Sequence, residues 1–93
     1  MHARSITVHV QPGKVDELFS IYENSVERVN MQQKGCVGSS ILVDTETGYG
    51  VMQIFWTTAA DMLSAEKNAC VADHFAQITP ILTSPLATEH YEV

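Results

Sequence analysis

The segment between residues 37 and 56 constrains the fold more than any other. Residues 37–44 and 49–56 read as two strands joined by Thr45-Glu46-Thr47-Gly48, a turn sequence whose glycine suits positive φ. Ile41-Leu42-Val43 and Ile54-Phe55-Trp56 are consecutive, so apolar side chains fall on both faces of the hairpin. Antiparallel strands usually alternate apolar-in with polar-out. This hairpin therefore needs cover on both sides of its sheet. A chain of 93 residues makes one domain, residues 1–93, and buries only about 60% of its unfolded surface. One helical layer of its own can shield one face. A second copy is expected to shield the other.

The flanking sequence supplies that helical layer. Ile6, Val8 and Val10 alternate with Ser5, Thr7 and His9, which predicts a strand over residues 4–10, ended by Pro12-Gly13. Val15, Leu18, Phe19, Tyr22, Val26 and Val29 recur at helical spacing and predict a helix over residues 14–33. Its opposite face, with Glu23, Glu27, Arg28 and Asn30, is expected to meet water, and Gly35 to cap its end. Thr58 with Asp61 resembles a capping box and opens a short helix over residues 59–68. A further helix is expected over residues 71–82, distorted by Pro80, and a last strand over residues 86–93. The order is β-α-β-β-α-β. That is the α+β, ferredoxin-like split plan with a four-stranded antiparallel sheet and both helices on one face.

Composition removes several classes of function. A net charge of -6 with five scattered basic residues makes no phosphate-tracking patch, so nucleic acid is not an expected partner. No apolar run approaches the ~20 residues of a membrane span. The charged fraction is only 17%, sparing for a small monomer with much surface, and this also points to a homodimer. Met1-His2-Ala3-Arg4-Ser5 is followed by no apolar stretch of the signal-peptide kind. Cys36 and Cys70 form no CxxC. Reduced thiols in a cytoplasmic protein are the expectation.

VHVQPGKVDELFSIYENSV, KGCVGSSILVD and MQIFWTTAADMLSAEKNACVADHFAQI together resemble the antibiotic biosynthesis monooxygenase (ABM) family of the dimeric α+β barrel superfamily. The likeness runs along the whole chain. It rests on a rhythm more than a signature: Pro-Gly before the first helix, Trp closing the third strand, Asp-His-Phe on a later helix. The resemblance implies a homodimer with a shared barrel and a small cavity between sheet and helices in each subunit. Activities in the family include cofactor-independent oxygenation of phenolic or quinol-like compounds and haem degradation, and some members have no established activity. The haem-degrading branch relies on an Asn in the first strand, a Trp in the helix after the third strand and a His in the next helix. Here the first strand offers Thr7 and His9, and residues 59–69 hold no aromatic side chain. Only His74 stands where the ligand His would be.

Cofactor-free oxygenation needs a base, an apolar pocket and donors for the resulting anion. His74, beside Phe75 and Ile78, is a candidate base; its bland reading is a half-buried helix His bonded to a carbonyl. His9 and His90, on neighbouring strands, are expected to line one pocket, with His9 a second candidate base; the bland reading puts both at a surface or interface. They supply no third metal ligand, so no metal is expected. Trp56 reads as a pocket wall and indole donor, or simply as core. Tyr22 brings a hydroxyl onto an apolar stripe, and Gln53 interrupts an apolar strand, so each needs a partner that a ligand could supply. The expected ligand is a small apolar or aromatic molecule. The expected function is cofactor-independent monooxygenation of a small aromatic, phenolic or quinol-like substrate. The alternative is a non-catalytic, small-molecule-binding dimeric barrel.

Overall fold

The computed structural model describes residues 1–93. Strand β1 (His2–His9) leads into a helical stretch over residues 15–31, made of α1 (Val15–Ile21), a π-helical segment (Tyr22–Val26) and α2 (Glu27–Met31). Strands β2 (Cys36–Val43) and β3 (Tyr49–Trp56) form the hairpin. Helices α3 (Ala59–Glu66) and α4 (Ala69–Ala76), a 3-10 turn (Thr79–Ile81) and β4 (Ala87–Glu92) complete the chain. The four strands lie in the order β2-β3-β1-β4, all neighbours antiparallel. This is the split α+β plan read from the sequence.

Register sorts the side chains. Arg4, Ile6 and Val8 of β1 stand opposite Ile54, Met52 and Gly50 of β3 on the side covered by helices. Ser5, Thr7 and His9 stand opposite Gln53, Val51 and Tyr49 on the other side. The core lies wholly on the helix side, where Ile6, Leu18, Val26, Met52, Ile54 and Ile78 are fully shut off from water. The open face is less uniformly apolar than the hairpin alone suggests. Leu42, Tyr49 and Tyr91 are exposed there, but Ser40, Gln53, Ser5 and Glu89 run across its middle in consecutive register.

The turns follow from local chemistry. Asp44 Oδ1 accepts the backbone N–H groups of Glu46 and Thr47 at 2.9 and 3.2 Å, an Asx-type turn. Gly48 then takes φ +80, and a Cβ there would meet the Val10 carbonyl oxygen at 2.6 Å. Thr58 caps α3 by accepting from the Asp61 N–H at 3.1 Å, as its spacing predicts. Asn68 caps α4 through Cys70 N at 2.8 Å.

Three expectations change. Gly35 does adopt φ +83, but in the turn into β2, since the helix has already ended at Met31. The helix expected over residues 71–82 stops at Ala76, and Pro80 sits in the 3-10 turn, because proline removes the N–H that an α-helix needs. Asn30 is buried, 1% exposed, rather than in water. The π-helical turn accommodates an extra residue, and that rotates the positions beyond it relative to a straight 3.6-residue count.

Candidate functional site

The helix side of the sheet gathers the polar groups that lack ordinary explanations. The π-helical segment begins at Tyr22 and turns it inward, 3% exposed. Its hydroxyl lies 2.6 Å from Ser39 Oγ on β2. Burial pushes the Tyr22 phenol up from its ordinary value; the bond to Ser39 opposes this, and nearby Glu27 adds to it. Trp56 ends β3 at 1% exposed, and its indole N–H has no acceptor. Asn30 gives its amide N–H to Val26 O at 2.8 Å, but its Oδ1 is likewise buried without a partner. Unpaired buried polar groups are few in native structures and each asks for a reason.

A charged cluster lies beside Trp56. Arg4 Nε is 3.1 Å from Glu66 Oε1, and His90 Nε2 is 2.5 Å from the same oxygen. The Arg4 guanidinium carbon sits 4.8 Å from the centre of the Phe75 ring, a cation–π contact. Burial lowers the Arg4 pKa, and the Glu66 charge only partly opposes it.

The expected site residues divide between the two faces. Tyr22, Trp56 and His90 lie on the helix side, and His74 lies on α4. Gln53 lies on the open face, bonded by Ser40 Oγ across the hairpin at 3.4 Å. His9 also lies on the open face, stacked on Tyr49 at 3.9 Å with 7° between the rings. Its Nε2 is 2.9 Å from Thr47 O, so that nitrogen donates, and Nδ1 faces Thr83 Oγ1 at 2.5 Å. His9 and His90 do not share a pocket. Register puts His90 opposite Arg4 and His9 opposite Tyr49, at opposite ends of β1 and on opposite faces. His74 is half-buried and donates from Nδ1 to Cys70 O at 2.6 Å. That leaves its lone pair on Nε2.

Three surface grooves are present. One of about 360 Å³ lies along the segment from Thr79 to Leu86, one of about 130 Å³ beside His9 and the 45–48 turn, and one of about 90 Å³ at Lys34 and Asp61. None is lined by Tyr22, Trp56, Arg4 or His74. No three His, Cys, Asp or Glu side chains gather at metal-binding distance. No helix is long and apolar enough to cross a membrane.

Sequence reasoning passed over Arg4, Glu66 and Asn30. The signal for Arg4 was in plain view: it is in phase with Ile6 and Val8 on β1, and period two therefore sends it inward. Asn30 carried no such signal, because the π-helical turn cannot be read from periodicity.

No family model matches the sequence. Uncharacterised protein Rv2558 of Mycobacterium tuberculosis is 34% identical over 77 residues, which is 82% of this chain and 33% of that protein. The chain thus spans about a third of the length of the curated relatives it matches. Among solved structures, SnoaB from Streptomyces nogalater, a cofactor-independent oxygenase, superposes with TM-score 0.84 at 14% identity, covering 99% of this chain and 91% of SnoaB. The chain has the ABM fold. An antibiotic biosynthesis monooxygenase of known structure gives TM-score 0.79 at 16% identity, covering 100% of this chain and 98% of that one.

Proposed function

We propose that this chain is an ABM-type, cofactor-independent monooxygenase of a small aromatic, phenolic or quinol-like substrate, acting as a homodimer whose second copy covers the open sheet face. The observation that carries the reading is the Trp56 indole N–H, buried without an acceptor on a fold shared with a cofactor-independent oxygenase. In such a reaction the substrate is its own reductant. A methylene activated by a neighbouring phenol or enol loses a proton, and the resulting anion passes electrons to oxygen. One oxygen atom becomes a carbonyl in place of the two hydrogens, and the other leaves as water. Trp56 and Tyr22 are the donors proposed for the anion, and His74 Nε2 is the proposed base. His90 binds substrate from the β4 side. Gln53 and His9, on the other face, are proposed to act at the dimer interface.

A second reading, a non-catalytic ligand-binding barrel, is favoured by one observation: His74, the proposed base, lines none of the three grooves. Oxygen uptake in metal-free buffer with a panel of phenols that carry the activated methylene, anthrones among them, separates the two. Uptake that disappears in Trp56→Phe supports the enzyme. Binding of the same compounds with no uptake transfers the assignment to the binder.

A further inference from the structure

We propose that Arg4 is the recognition point for a carboxylate on the ligand, which narrows the substrate class to small aromatic acids. The inference rests on the ligand site proposed above lying on the helix side of the sheet.

Arg4 is the basic residue that the fold draws inward; its side chain is 16% exposed. It is held on two sides. Phe75 backs the plane of the guanidinium, and Glu66 holds Nε by charge at a distance of 3.1 Å, but not in the line a hydrogen bond needs. Glu66 Oε1 is shared with His90. The terminal Nη groups make no ion pair within the chain, so the outer edge of the guanidinium fork is free. A planar, aromatic-backed fork with a free edge matches the two oxygens of a carboxylate and makes parallel bonds to both.

A second, independent observation points to an acceptor at the same place. His2 pairs with Trp56 and Arg4 with Ile54, so Arg4 and Trp56 are diagonal neighbours on one face, in an ordinary sheet about 7–8 Å apart. The Trp56 indole N–H is buried with no hydrogen-bond partner. Arg4 Nε faces Glu66, so the donors left for a ligand are the Trp56 N–H and the Nη groups of Arg4. An oxygen-rich anion satisfies such donors, and a cationic ligand does not. The approach we assign is from the strand edge, where every residue of β4 is exposed; His90, bonded to Glu66, must swing aside there.

The test uses 4-hydroxybenzoate and its uncharged counterpart 4-hydroxybenzamide, titrated into 15N-labelled protein. The chain has a single Trp, so one indole N–H resonance reports on Trp56. The acid is expected to bind roughly tenfold tighter than the amide and to shift that resonance. Arg4→Lys keeps the charge but removes the fork, and is expected to erase most of the preference, as is Arg4→Gln. If Arg4→Gln does not fold, Arg4→Lys and the wild-type ratio still decide. Equal binding of acid and amide, binding of neither, or full preference in Arg4→Lys overturns the proposal. The two readings fail separately. Acid preference without oxygen uptake overturns the reaction and leaves Arg4's role standing. Oxygen uptake that is equal on phenolic acids and their methyl esters overturns Arg4's role and leaves the reaction standing.

Discussion

The two faces of the sheet use the same strands for different ends. On the helix side, Ile54, Met52 and Ile6 are sealed, and the polar residues among them, Tyr22, Trp56 and Arg4, are held in place by burial. On the open side, Leu42, Tyr49 and Tyr91 are large and exposed, and the polar residues pair with one another across strands, as Ser40 does with Gln53. One face is a finished interior with a few unmet hydrogen bonds. The other is a surface with satisfied polar groups and unmet apolar area. The first arrangement suits recognition of a small molecule, and the second suits association with another protein surface.

Truncation should separate the faces most sharply. Trp56→Ala is expected to cost about 3–5 kcal/mol, and Leu42→Ala to stay within about 0.5 kcal/mol of wild type when unfolded by urea at low protein concentration. Similar losses at both positions would erase the distinction. Next in size is association. Sedimentation of the wild type at micromolar concentration should show a dimer, and Leu42→Lys should shift it toward monomer with unchanged far-UV dichroism. A wild type that sediments as a stable monomer defeats the proposed barrel.

Smaller effects sharpen the same contrast. Tyr22→Phe removes the bond to a half-buried Ser39 and should cost about 1 kcal/mol, measurable as a fall in Tm of about 4–8 °C. Ser40→Ala, on the open face, should move Tm by less than half of that. The Tyr22 phenol is raised in the fold, so its contribution is complete below its unfolded value near 10 and is lost as pH rises through the higher folded value. A stability scan above pH 10 in wild type and Tyr22→Phe checks that sign. Asp44 belongs to neither face. The Glu46 and Thr47 amides hold its carboxyl below the usual carboxylate range. Its stabilising effect is therefore present above the unfolded value near 4 and disappears as pH falls through the folded one. The amide resonances of Glu46 and Thr47 should move in that acid range and stay still in Asp44→Asn.

Much of this architecture was legible in the residues. Period two along β1 and the turn residues at 45–48 place three strands, and Thr58 with Asp61 places a helix start to the residue. These are local rules with strong steric or hydrogen-bonding causes. What escaped reading depends on pairs distant in sequence. His9 and His90 look like neighbours because their strands are neighbours, yet register sends them to opposite faces and ends. Register is fixed by how the whole core packs, which no single strand records. The inward turn of Asn30 depends on a π-helical insertion at Tyr22–Val26 that leaves no periodic trace. Of the candidate residues, sequence offered Tyr22 and Trp56 as single side chains, but neither Arg4 nor the way register divides the candidates between the two faces.

The bare last strand has a consequence for motion. β4 pairs only with β1, and its six residues are all exposed. Its backbone amides should exchange with deuterium well before those of β1 and β3, in local openings that leave the rest of the molecule folded. Such fraying would carry His90 away from Glu66 and widen the way to Arg4, so the rate of ligand entry and the exchange rate of this strand should rise and fall together.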